Sequence, residues 1–265
     1  MCLMTKNFKK GITGSVILGM MAWAGVSYSD KVELGSLQSM SNNDIKVLAR
    51  TLSSVTAPKV MVHNEALGWL KFDVGVEQAF YRISSDVRAM LKSKAIGHSD
   101  LDEDYYLSFL IAKVGWPWGV NSEVSLFLPG AIDKFGVTSF SLKWVPPFLA
   151  KDRFFITPGV RQSYTHARFS QYKSGSWTTD IILSTQKILG LGLQGGGSMI
   201  QIFGKYNGGV LRAGQTPEPH LWTERYFGGI DHTLKLFEKM SLNLAFEAAR
   251  MRHSKAYSLK TTLLF

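Results

Sequence analysis

Charged side chains recur at alternate positions along several segments, and their types and spacing are what chemistry here would use. Lys71, Asp73, Glu77, Glu123, Lys143, Arg153, Arg161, Asp180, Lys205, Arg225, Asp231, Lys235, Glu247 and Lys260 share one face of their segments if each segment is extended. Eight basic and six acidic groups in one narrow space would mostly pair with each other, giving a buried ion-pair network. The second reading is a charged lining that selects small solutes, with a weak preference for anions from the basic excess. Nucleophilic catalysis competes with both. His166 lies near Ser163 and Ser170, and His253 is followed by Ser254, so either set offers a base and a hydroxyl. Neither sits in a family motif, and no catalytic residue is assigned. The acidic loop HSDLDED at 98–104 has oxygens for calcium but lacks the glycine turn and distal glutamate of an EF-hand loop. It reads as a solvated loop. Gly190, Gly192 and Gly195–Gly197 lack the strand-turn-helix setting of a nucleotide site, so neither metal nor cofactor is expected.

Extended segments are what must position these groups. Apolar and polar residues alternate over 68–82, 105–114, 120–128, 137–145, 153–166, 177–186, 198–206, 221–237, 240–251 and 256–265. Leu70, Phe72, Val74, Val76 and Phe80, for example, alternate with Lys71, Asp73, Gly75, Glu77 and Ala79. In the second segment Tyr105, Leu107, Phe109 and Ile111 form the greasy face. The stretch 188–197 reads as strand, turn or both. Beyond residue 29 no run of about 20 apolar residues appears, which excludes a bundle of membrane helices. About ten alternating segments, each long enough to cross a bilayer, predict an all-β fold, an antiparallel transmembrane β-barrel of eight to twelve strands over 67–265. Odd-to-even connections are mostly longer than even-to-odd ones, the asymmetry of external loops and periplasmic turns.

Upstream, Lys6, Lys9 and Lys10 precede an uncharged apolar stretch and Ala22-Trp23-Ala24, the layout of a signal peptide over 1–24, with cleavage after Ser29 as the other candidate. Cys2 is the only cysteine, so the mature chain has no thiol and is held by its fold alone. Without 1–24, 27 basic residues face 20 acidic ones, a net charge of +7 compatible with anionic lipid headgroups. No compact basic patch with interleaved aromatics appears, so nucleic acid is not a partner. Between the signal and the barrel, 25–66 reads as a periplasmic segment. Within it Asn42-Asn43-Asp44 cap a short amphipathic helix, 43–57, with Ile45, Leu48, Ala49, Leu52 and Val55 on one stripe and Pro58 as its stop. Lys46 and Arg50 lie off that stripe, where they would hold the helix as a plug in the barrel mouth; the helix could instead lie against the inner leaflet of the membrane, and a cover over the periplasmic opening is the plainer alternative.

Trp69, Trp116, Trp118, Trp144, Trp177 and Trp222 each fall at or just beyond an end of an expected strand, as membrane-interface aromatics do. The last segment, AYSLKTTLLF, carries Tyr257, Leu259, Leu263 and Phe265 at alternate positions and ends on Phe265. With the N-terminal signal, it resembles the C-terminal sorting signal of bacterial outer-membrane β-barrel proteins. GWLKFDVGVE after a short helix is similar to uncharacterised members of that class. The resemblance implies export to the bacterial outer membrane, and as partners the barrel-assembly machinery, outer-membrane lipids and lipopolysaccharide. The function expected is a narrow pore or transporter for small solutes, or a structural membrane protein. The alternative is an outer-membrane lipid-modifying hydrolase or acyltransferase.

Overall fold

The computed structural model describes residues 41–59, 67–94, 104–128, 135–149, 155–169, 172–206, 221–237 and 240–265. The expected signal peptide, Arg153, Ser170 and the acidic loop up to residue 103 lie outside them. Helix α1 (Asn42–Thr56) precedes strand β1 (Phe72–Ile83), and helix α2 (Ser85–Lys94) follows that strand. Then come β2 (Asp104–Gly115), β3 (Val120–Phe127), β4 (Phe135–Trp144), β5 (Ile156–Phe169), β6 (Tyr172–Thr185), β7 (Leu191–Tyr206), β8 (Leu221–Phe237), β9 (Met240–Met251) and β10 (Ser254–Leu264). Each strand pairs with the next, and β1 closes antiparallel on β10, from Asp73 opposite Leu264 to Ile83 opposite Ser254. The result is the closed antiparallel barrel of ten strands that the alternation predicts. Closure satisfies every strand edge without a partner chain.

Two ends follow from the connectivity. At the proximal end β1 begins and β10 finishes, and the Phe265 N–H donates to the Phe72 carbonyl at 2.9 Å. The opposite, distal end carries α2 and the β7–β8 and β9–β10 connections. The largest departures from the expected boundaries lie in β5, β6 and β7. Strands β5 and β6 continue to Phe169 and from Tyr172, so a tight hairpin replaces the expected loop at 167–176. Strand β7 begins at Leu191, because Leu189 (φ 53°) and Gly190 (φ 81°) form a two-residue left-handed turn. Ile188 and Leu191 exchange two 2.9 Å backbone hydrogen bonds across it. The glycines at 195–197 therefore lie within the wall.

The outer wall is apolar. Phe140, Leu142 and Trp144 on β4, Val160 and Tyr164 on β5, Ile181 and Leu183 on β6 and Leu193 and Met199 on β7 all point away from the interior and are exposed. Small side chains line much of the interior: Ser139, Ser141, Ser163, Thr165, Ser176, Thr178, Ala245, Ala249, Ala256 and Ser258 are inward and buried. A ten-stranded barrel is only slightly wider than one that side chains alone can fill. Small linings leave space for one more element, and helix α1 occupies it. Every residue from Ser53 to Lys59 is buried, so the helix end is enclosed all round instead of on one face.

The helix is capped by Ser41 and starts at Asn42, one residue earlier than expected. The Asp44 N–H donates to Ser41 Oγ (3.2 Å) and the Ser41 N–H to Asp44 Oδ2 (2.9 Å), a reciprocal capping box. The expected stripe is present: Ile45, Leu48, Ala49 and Val55 are buried. Ala49 and Ala57 pack with Ile200, Ile202 and Leu221, while Val55 joins Tyr81, Leu107, Phe109, Phe127 and Phe227. These partners lie toward the distal ends of their strands. The chain thus enters the barrel from the distal end and is at the proximal end by Leu67, whose N–H donates to Asn121 Oδ1 at 3.0 Å.

Candidate functional site

Past the end of α1 the chain runs on through Ala57, Pro58 and Lys59, whose carbonyls lie outside the helix. Two barrel arginines meet them. Arg161 on β5 donates from Nη1 to the Lys59 carbonyl (2.7 Å) and from Nη2 to the Pro58 carbonyl (2.6 Å). Arg225 on β8 donates from Nη1 to the Pro58 carbonyl at 3.0 Å. Asp180 on β6 holds both: Arg161 Nε reaches Oδ2 at 2.7 Å and Arg225 Nη2 reaches Oδ1 at 2.8 Å. Ser198 accepts from Arg225 Nε (3.0 Å) and donates to the same Asp180 oxygen. One carboxylate thereby orients two guanidiniums whose free edges face the chain that crosses the lumen.

The pairing continues round the wall. Glu123 lies 3.8 Å from Arg161, 3.2 Å from Lys260 and 3.3 Å from Lys113, which is 3.5 Å from Asp73. Strands β1, β2, β3, β5, β6, β8 and β10 are linked by one run of buried charges. Lys59, which follows the helix and lies on no strand, folds back to donate to the Ser54 and Ala57 carbonyls, each at 3.3 Å. Its ammonium sits 4.8 Å over the Tyr81 ring. Burial first, then the nearby Arg225, push the Lys59 amine down to about 7 from the ordinary 10.5; Arg161 acts in the same sense, Glu247 and Glu77 against it. At the helix flank Arg50 Nε donates to the Trp222 carbonyl at 3.3 Å. The main charges that grip the plug are therefore on the barrel, not at Lys46 and Arg50 of the helix.

Of the residues expected to face the lumen, Asp73, Glu77, Glu123, Lys143, Arg161, Asp180, Arg225, Asp231, Glu247 and Lys260 are inward and buried. Asp231 stands apart and pairs with Lys187 at 3.0 Å. Two others are not in the interior. Lys71 precedes β1 and is exposed at the proximal mouth. Lys235 is exposed because β8 outruns β7 beyond His232 and projects as a hairpin with β9 alone. Lys205 lies outside the described side chains, and inward positions of β7 are taken by Ile200 and Ile202 against the helix. Strand β2 is inverted for the same reason: Leu107, Phe109 and Ile111 are buried inside, and Lys113 on that face enters the ion-pair run. Lys59 and Lys113 were missed. A lysine on an outward face costs about 2–4 kcal/mol at the bilayer midplane but only about 0–1 kcal/mol near an interface, so Lys113, two residues from the end of β2, was a weak signal for turning that strand the right way. The interior described holds six basic and six acidic side chains, so the excess behind an anion preference is gone.

Among the described residues, neither nucleophile set is assembled. Ser163 is buried inside the barrel while His166 is exposed outside it, and Ser254 Oγ contacts Met251 Sδ at 3.8 Å. Trp69, Trp116, Trp118, Trp144 and Trp222 lie at or beyond strand ends, but Trp177 does not: it sits five positions into the lengthened β6 and packs on Tyr164 at 5.1 Å. On β10, Tyr257 and Leu259 face out and are exposed, as is Phe265, whereas Leu263, opposite Val74 and Leu242, is buried.

The fold and interior define a class: a closed ten-stranded antiparallel barrel with an apolar outer wall and its own N-terminal helix in the lumen. Comparison with protein-family models finds no match, and neither does comparison with curated proteins. Among solved structures, the chain is similar to the β domain of the Bordetella autotransporter BrkA (TM-score 0.43, 10% identity, 75% of this chain and 99% of that one). It is similar also to the COG4313 outer membrane channel from Pseudomonas putida F1 (0.42, 8%, 76% and 98%) and to the KdgM porin in complex with disordered oligogalacturonate (0.37, 6%, 72% and 97%).

Proposed function

We propose that the chain is a bacterial outer-membrane barrel, exported by its N-terminal signal and read by the assembly machinery through the outward face of β10. Its lumen is plugged by its own helix and passes small solutes only when the helix is displaced. The apolar outer wall supports membrane insertion, since lipid would solvate it where water would not. Distal connections include the long α2 segment, which supports the distal end as the external one. The observation that carries the plug is the clamp of Arg161 and Arg225 on the Pro58 and Lys59 carbonyls. A helix held through the carbonyls of the segment that follows it blocks the lumen, and it is released when those donors let go.

Conductance in planar bilayers tests this. Wild-type protein is expected to open rarely, and R161Q/R225Q to conduct steadily while keeping its heat-modifiable gel mobility. A folded double variant as silent as the wild type would leave the barrel a closed structural protein.

A further inference from the structure

The segment after the helix is held group by group, as a bound peptide is held. Ala57 takes φ −60° and ψ 129°, in the polyproline region, and the ring of Pro58 fixes the next φ. Pro58 also has no N–H, so what the segment offers the wall is mainly carbonyls and the one ammonium of Lys59. Each is met. Arg161 takes the successive Pro58 and Lys59 carbonyls at 2.6 and 2.7 Å. Arg225 Nη1 lies 3.0 Å from the Pro58 carbonyl and 3.5 Å from that of Ala57. The Lys59 side chain is wholly buried over the Tyr81 ring, where Glu77 and Glu247 favour its charge, and it reaches the Ser54 and Ala57 carbonyls. An ammonium enclosed in this way adds little to the stability of a plug, because an apolar side chain of similar volume fills the space without the cost of desolvation. What it adds is discrimination between one sequence and another.

We propose that the wall formed by Arg161, Arg225, Tyr81, Glu77 and Glu247 is a binding site for short peptides with a Pro-Lys step, that Ala57–Lys59 is its tethered occupant, and that a free peptide taking its place opens the lumen. The inference rests on the reading that the helix closes the barrel. A ligand that binds only the emptied site favours the released helix by mass action. The tethered copy acts at an effective concentration on the order of 1 mM, so free peptide is needed at about 10 mM. The probe is acetyl-Ser-Val-Thr-Ala-Pro-Lys-amide, which copies residues 54–59. Its retention by the full chain in neutral detergent is read by native mass spectrometry, and opening by conductance in planar bilayers. K59A, whose own lysine no longer competes, is expected to retain one peptide about ten-fold better than the wild type, and K59A/R161Q/R225Q none. At about 10 mM the peptide should raise wild-type openings about ten-fold, and its norleucine analogue, which keeps the stem without the ammonium, should not. Gel mobility before and after heating reports the fold of each variant, and the comparison of the two peptides on wild-type protein needs no substitution. No retention by folded K59A, or equal action of the norleucine peptide, overturns the site. Retention by K59A while R161Q/R225Q stays silent overturns the plug and leaves the site standing; steady conduction in R161Q/R225Q with no peptide retained by K59A does the reverse.

Discussion

Asp180 accepts from Arg161 and Arg225 at once, and all three side chains are buried. Removing the carboxylate leaves the buried Arg225 without its counter-charge and Arg161 with only Glu123, at 3.8 Å. D180N keeps the shape and loses the charge, so about 3–5 kcal/mol of unfolding free energy should disappear in a urea titration in micelles. An unchanged midpoint would show that the arginines are neutralised elsewhere. Lys59 gives a pH dependence. Docked, facing Arg225, Arg161, Glu247, Glu77 and the Tyr81 ring, its amine titrates near 7; undocked it returns to 10.5. Below 7 both states are charged and docking bears the whole cost of burying the ammonium. Between 7 and 10.5 the undocked state binds the extra proton, so docking strengthens as pH rises. Openings should be more frequent at about pH 6 than at about pH 9, and K59M should flatten that slope. The same slope in K59M would assign it to another group.

At the scale of elements, helix α1 is a plug because its C-terminal half is small and hydroxyl-bearing where the wall is also small. Thr51, Ser53, Ser54 and Thr56 are buried beside the stripe of Ala49 and Val55. Overpacking a filled interior costs about 1–3 kcal/mol, and a docked helix can avoid that cost by leaving. A49F, placed against Ile200, Ile202 and Leu221, should therefore release the helix while the strands stay paired. Trypsin should then cut at Lys46 or Arg50 in the variant and spare the wild type; equal protection would mean that the wall yields instead. The helix itself was legible from Ile45, Leu48, Ala49, Leu52 and Val55, but its address was not. Its amphipathic stripe fits a membrane surface, a barrel mouth or a lumen equally well. Strand β2 failed for the linked reason that apolar faces were assigned outward, which holds only where the lumen is polar.

For the whole molecule the direction of threading matters most. The chain enters at the distal end with Asn43 exposed and reaches the proximal end by Trp69, also exposed. If the distal end faces outward, Asn43 at the start of the helix is presented at the cell surface although the helix precedes the barrel in sequence. In a C2S background, N43C should react with a membrane-impermeant maleimide on intact cells, and W69C only after permeabilisation. The opposite pattern would invert the barrel in the membrane.

Period-two alternation is a local property, fixed by strand geometry one residue at a time, and it carried the ten strands, the closed barrel and most of the buried charges, Arg161, Asp180 and Arg225 among them. Which face of β2 or β7 points inward, which lysines leave the lumen and what blocks it depend on residues more than a hundred positions apart, as with Lys59 and Arg161. Those contacts exist only once the barrel has closed round the helix, since only then does an apolar side chain find the interior as dry as the outside.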